Sequence, residues 1–423
     1  MGQSEGLKLS HLPAELLHQI FRDVDYGDRK NLRLVCRVFA NACVPYMIHS
    51  CTFSTSRDSL SKLKHMAMHP LFSAYIDVLN FDCSLLVNIP NQYRFHSHLR
   101  FLNESMEQSQ RQFQVYWPLV EAQNEIILSG EDVRTVELAI PRFQKFTTLR
   151  ICIGSFENSG RQHKEAFAGN LANVPFYAIR QSSACSVRQF MTLMNTLFRQ
   201  QVRISVLEIG PLTYSVFDED LELVQEVFSS LTKLVFYISA VADTPWPPKA
   251  QASFSGSEAF CDVVGNGKAV KLLSSASQLT HLSICTEYAP FHKEANLKSF
   301  VGNYTWPHLK RFSIGNLVVS ENDLIDFLHR HRIEELSIRS ITLQGSWITA
   351  LPAMREATSP ILDRAIAYEW ITNEAGESWY LGHHPAKSIV GRGDETTLGL
   401  YVAYYLSKAP CGYPCPLTLS NMS

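Results

Sequence analysis

Four residues near the end of the chain have the side chains of a zinc site: His383 and His384, then Cys411 and Cys415. Structural zinc needs four such ligands converging on a tetrahedron. Adjacent histidines rarely reach one metal together, and the Cys-x-x-x-Cys pair is set among prolines. The set is therefore not read as a metal centre, and no cofactor is expected. Val264-Gly-Asn-Gly-Lys268 has the flavour of a phosphate loop, but P-loop spacing is absent and no Ser or Thr follows the lysine. His329 and His331 close a helical stretch, where a positive side chain favours the dipole, so capping is the expected role. No Gly-x-Ser-x-Gly elbow occurs, and nothing in the sequence sets a nucleophile beside a base. The chain is read as non-catalytic.

The elements that would position any site are bounded by composition. The 423 residues are 46% hydrophobic and 18% charged, with net charge -2. That is enough apolar material for a large core and more than one unit. A balanced charge argues against a general nucleic-acid or membrane-surface binder. The opening MGQSEGLKLS has no basic region followed by an apolar run, so it is not read as a secretory signal. The ten cysteines follow no framework spacing and are read as reduced thiols, which places the chain in cytoplasm or nucleus.

The strongest pattern lies in the first fifty residues. After Leu12-Pro13 come Leu16, Leu17, Ile20, Phe21 and Val24, the spacing of one buried helical face. Proline suits the first turn, where its missing N–H has no helical partner. Asp25-Tyr26-Gly27-Asp28 breaks this helix, and Asp28 is the expected N-cap of the next. That second stretch carries Leu32, Val35, Cys36, Phe39 and Cys43 on one side and is ended or kinked by Pro45. So small a module has too little core to be very stable alone and gains from a partner.

The run Leu9-Ser-His-Leu-Pro-Ala-Glu-Leu-Leu-His-Gln-Ile-Phe, followed by Asn31-Leu-Arg-Leu-Val-Cys-Arg-Val-Phe, resembles an F-box. The resemblance implies three short helices that dock on the Skp-type adaptor of a cullin-RING ubiquitin ligase. By match to the motif, Leu12, Pro13, Leu16, Ile20, Leu32, Val35, Cys36 and Phe39 would supply its core and docking face, and the sequence does not separate the two roles. One position departs: Arg29-Lys30 follow the acidic turn where many members have an apolar residue. The strand-like Cys51-Thr-Phe-Ser-Thr, a helix over Ser59–Met66 and the alternating Ile76–Phe81 are similar to the linker of fungal-type F-box proteins.

Beyond this, one short pattern recurs: apolar, two variable, apolar, one variable, apolar. It stands at Ile76–Phe81, Phe146–Ile151, Ile204–Ile209, Leu231–Phe236, Leu279–Ile284, Leu309–Ile314 and Ile333–Ile338. Such strands, most preceded by a helical stretch, are the signature of a leucine-rich repeat, with insertions at 88–129 and 242–267. Asp132–Phe143 reads as a helix. Ser320-Glu-Asn-Asp323 resembles a capping box, and Gly345-Ser-Trp347 opens a further helix.

The expected fold is α/β: a three-helix F-box module, then an irregular leucine-rich-repeat-like solenoid. The expected units are an F-box at 1–50, a linker and first strand at 51–83, a degenerate repeat domain at 84–360, and a partly flexible C-terminal extension at 361–423. The expected function is substrate recognition in a Skp-cullin-F-box ligase, the partners being the adaptor, through it a cullin, and a target the sequence does not name. The alternatives are an adaptor-bound scaffold without ubiquitin transfer and, last, an enzyme.

Overall fold

The alternating patterns place large side chains in two rows, and the rows dictate the sheet. Leu79, Leu149, Leu207, Leu234, Leu282, Phe312 and Leu336 are cross-strand neighbours in register, and so are Phe81, Ile151, Ile209, Phe236, Ile284, Ile314 and Ile338. All are buried. Each such side chain contributes about 1.5–3 kcal/mol on burial. The computed structural model describes residues 12–83, 85–86, 88–89, 91–99, 105–152, 183–239, 260–287, 296–359, 361–382, 397–408 and 414–417.

The strands are β1 (Ser50–Ser54), β2 (Val78–Asp82), β3 (Thr148–Cys152), β4 (Val206–Thr213), β5 (Lys233–Ser239), β6 (His281–Glu287), β7 (Arg311–Gly315), β8 (Val318–Ser320), β9 (Glu335–Gln344), β10 (Arg364–Asn373) and β11 (Ser378–Tyr380). They lie in one sheet in chain order, except that β8 pairs with β9 beside β7. Every pairing is parallel but the last, β10 with β11. Parallel neighbours need a crossover, and helices supply it. The helices Glu131–Ala139, Ser183–Arg199, Glu222–Phe228, Lys268–Ser275, Leu297–Val301, Glu321–Arg330 and Trp347–Thr358 precede successive strands. Their inward residues, such as Val136, Phe190, Val224, Leu272, Phe300, Phe327 and Leu351, share one core with the strands.

A backbone device sets the step between strands. One carbonyl before each strand accepts two N–H groups from the approach to the next. His49 O takes Asp77 and Val78, Asp77 O takes Thr147 and Thr148, and Thr147 O takes Ser205 and Val206. The sequence continues through the carbonyls of Ser205, Thr232, Thr280, Lys310 and Glu334, the last taking Asp363 and Arg364.

Several expectations change. The sheet does not stop at 360, because β10 continues it in parallel register against β9. The pattern is hard to see there because Ala365 and Ala367 replace the large aliphatic residues on the core side. Helix Thr397–Ser407 comes close over these small residues at Gly399, where a Cβ would stand 2.6 Å from the Ala367 carbonyl oxygen. The capping box at Ser320 does not form, since the Ser320 side chain makes no capping bond. Glu321 instead reaches the next helix, accepting from the Ser346 backbone N–H (3.1 Å) and the Thr349 hydroxyl (2.8 Å).

The insertion at 88–129 carries helices Gln92–Leu99 and Met106–Ser129, with a small core of Leu86, Ile89, Phe95, Tyr116 and Val120. Gln123 holds the chain into this core through both the N–H and the carbonyl of Leu86. The insertion expected at 242–267 falls partly outside the described residues.

Candidate functional site

The first helix, α1 (Ala14–Asp23), starts where Pro13 predicts and carries two apolar sets side by side. Leu17 and Phe21 point inward, 3% and 1% exposed, while their neighbours Leu16 and Ile20 are 46% and 39% exposed. The second helical stretch read from periodicity is two helices, so the trio that the resemblance implies is present. Helix α2 (Tyr26–Leu32) begins after Asp25, whose side chain makes no capping bond, and Asp28 lies in its first turn rather than before it. A turn at 33–35 separates it from α3 (Arg37–Met47), with Pro45 inside the latter. The turn is why Val35 leaves the stripe that Leu32, Cys36, Phe39 and Cys43 were expected to share with it.

The core of this trio is Leu17, Phe21, Phe39, Ala42 and Cys43, with Leu12, Leu32, Cys36, Tyr46 and Met47 packed around it. The Phe21 and Phe39 rings meet edge to face, 5.4 Å apart. Burial raises the Cys43 thiol pKa, opposed by the positive charge of Arg29. This core is separate from the large one under the sheet. Of the residues expected for core or docking, Phe39 is buried, Leu12, Leu32 and Cys36 are half-buried, and Pro13, Leu16, Ile20 and Val35 are exposed.

Two further apolar residues are exposed on the trio, Leu34 at 76% and Val38 at 46%. Sequence reasoning passed over both. The available signal was that both are apolar and stand outside the set Leu32, Cys36, Phe39 and Cys43 assigned inward. A set of this kind is what remains when a small module closes its core and keeps apolar surface for a protein partner.

Arg29 reaches across the trio. Its Nη1 donates to the Tyr46 carbonyl at 2.8 Å and its Nη2 to the Arg22 carbonyl at 3.0 Å. The guanidinium lies 5.8 Å from the centre of the Tyr46 ring. The trio joins the sheet through Ile48 and His49 alone in sequence; Ile48 packs on the large core and His49 is the first carbonyl of the strand-stepping series.

The other candidate chemistry falls partly outside the described residues. Cys415 is buried, and its proposed companions His383, His384 and Cys411 lie outside the described residues. Among the described residues no group of His, Cys, Asp and Glu could hold a metal, and no helix is long and apolar enough to cross a membrane. Val264–Lys268 is a junction between two helices, turned by Gly267 at positive φ. His331 caps the end of its helix as expected, but not as a charged group. It is buried, its Nε2 accepts from the Trp306 backbone N–H at 3.0 Å, and its Nδ1 lies 2.8 Å from the Phe327 carbonyl oxygen. A ring that accepts at Nε2 and donates from Nδ1 is neutral, and burial accordingly lowers its pKa, with Arg330 acting in the same direction.

No curated protein matches the chain. Residues 9–49, the stretch that holds α1, α2 and α3, match the model of the F-box-like family. The chain thus carries an F-box-like domain at its N-terminal helices, which supports reading it as an F-box protein.

Proposed function

We propose that the chain is the substrate-recognition subunit of a Skp-cullin-F-box type ubiquitin ligase. One observation carries the reading: Leu16, Ile20, Leu34, Val35 and Val38 face outward on a module whose core is already closed by Leu17, Phe21 and Phe39. Between 39% and 76% of each of these side chains remains open to water. A Skp-type adaptor covers them, in an interface on the order of 1,600 Å², and brings a cullin with it.

The sheet is the target-holding part, a leucine-rich-repeat-like solenoid of degenerate repeats. The in-register core rows and the repeated two-N–H step support that reading. The chain contributes proximity and orientation, while bond-making belongs to the ubiquitin-charged enzyme. It acts in cytoplasm or nucleus.

The test is a pull-down of the full chain with adaptor and cullin, comparing wild type with Leu16→Asp/Ile20→Asp. Each carboxylate would have to be desolvated on docking, so the double variant is expected to lose both partners while the sheet stays folded. Retained adaptor capture by the double variant, or wild-type capture of adaptor without cullin, would overturn the proposal.

A further inference from the structure

We propose that Arg29 is the positioning residue of the docking face: a guanidinium clamp that fixes the C-terminal ends of α1 and α3, so that their apolar side chains meet a partner as one surface. The inference rests on the docking reading above. It starts from the one position where this chain departs from the F-box pattern, Arg29-Lys30 in place of an apolar residue.

The clamp has three parts. The carbonyls of Arg22 and Tyr46 lie in the last turns of α1 and α3, where no further helical N–H can reach them. Such carbonyls also form the negative ends of the two helix dipoles. Arg29, on α2, donates one Nη to each, and its plane lies near the Tyr46 ring. A guanidinium is a planar fork, so two bonds to two helices fix both their spacing and their relative angle. An apolar side chain at this place would fix them only by contact.

Three of the five docking residues sit on the elements so held. Leu16 and Ile20 are on α1, Val38 is on α3, and Leu34 and Val35 are in the turn that enters α3. The five buried residues of the trio form a small core. A core of that size leaves helix positions soft, and a rigid polar tie then matters more for shape than for stability.

One detail favours positioning over folding. The Arg29 Nε is shielded from water and has no acceptor. A shielded, unpaired donor lowers stability, and a plain apolar residue would avoid that loss. The arginine makes sense where a set geometry is worth more than maximal stability.

The experiment uses the full chain and a purified Skp-type adaptor, with wild type, Arg29→Met, Arg29→Lys and Ile20→Asp. Calorimetry gives the adaptor Kd, and amide hydrogen exchange reports the helices. Arg29→Met keeps the stem and loses both bonds. It is expected to bind about tenfold more weakly, with protection retained at Phe39–Cys43 and lost in the last turns of α1 and α3. Arg29→Lys keeps the charge and reaches one carbonyl, so its affinity should fall between the two. Wild-type affinity of Arg29→Met overturns the clamp.

If Arg29→Met loses protection throughout the trio, Arg29→Lys decides. Intermediate affinity with an ordered trio supports the clamp, whereas wild-type affinity or loss of order overturns it. Ile20→Asp separates the two ideas, because wild-type binding by that variant sinks the docking reading itself.

Discussion

Leu16 and Leu17 are adjacent in sequence and opposite in fate, which makes a sharp experiment. Leu17 is 3% exposed in a core of five buried residues. Truncation to alanine removes its transfer free energy and leaves a cavity, a loss of about 2–5 kcal/mol for a buried leucine. In so small a core the walls collapse partly, so about 3 kcal/mol is the expected figure. Leu16 is 46% exposed. Its truncation should change folding by no more than about 0.5 kcal/mol.

Binding reverses the order of specific effects. Full burial of a leucine is worth about 1.5–3 kcal/mol, and roughly half of that remains to be gained by Leu16 on docking. Leu16→Ala is therefore expected to weaken adaptor binding by about 0.7–1.5 kcal/mol, roughly three- to tenfold in Kd. Because the trio's core is separate from that of the sheet, hydrogen exchange on α1–α3 is the proper stability readout, with calorimetric titration for affinity. The reasoning fails if Leu16→Ala lowers protection of the trio as much as Leu17→Ala does. It also fails if Leu16→Ala binds as tightly as wild type.

Two further expectations concern the sheet domain. His331 is neutral and buried, and its lowered pKa means that the unfolded chain takes up its proton first. Its contribution is complete above about pH 6.5 and declines as pH falls from there towards the lower folded value. Replacement by Phe leaves the Trp306 N–H without its acceptor, a loss of about 1–3 kcal/mol at neutral pH. Thermal unfolding at pH 7.5 and 5.5 should then differ less in His331→Phe than in wild type, and an equal difference would refute the assignment.

Gly345 has φ of 141°, and an added Cβ would stand 2.8 Å from the Glu321 Cβ. Gly345→Ala should therefore displace Glu321 from the N-terminus of helix Trp347–Thr358 and lower stability by about 1–3 kcal/mol. Urea unfolding measures it, and an unchanged midpoint would count against the contact.

Much of the architecture was legible in the chain itself. Local periodicity carries it: a strand alternates side chains whatever lies beside it, so the seven short apolar patterns all mark strands. The same holds for α1, whose Pro13 start and paired apolar sets are local features. The run from Leu9 to Phe39 likewise announces an F-box-like domain by type, order and spacing. The sheet's continuation into β10 was hidden, because alanines there serve a packing partner, helix Thr397–Ser407, that is distant in sequence.

Tertiary structure decided the rest, for the reason that partners far along the chain choose among locally equal residues. Nothing near Leu16 and Leu17 distinguishes them until α3 brings Phe39 against one side of α1 only. Arg29 looks like a misplaced surface charge until two helix ends arrive within reach of its fork. His331 looks like a charged cap until Trp306, twenty-five residues earlier, offers an N–H that only a neutral ring can accept. Periodicity is written along one chain direction, whereas burial and protonation depend on which segments meet.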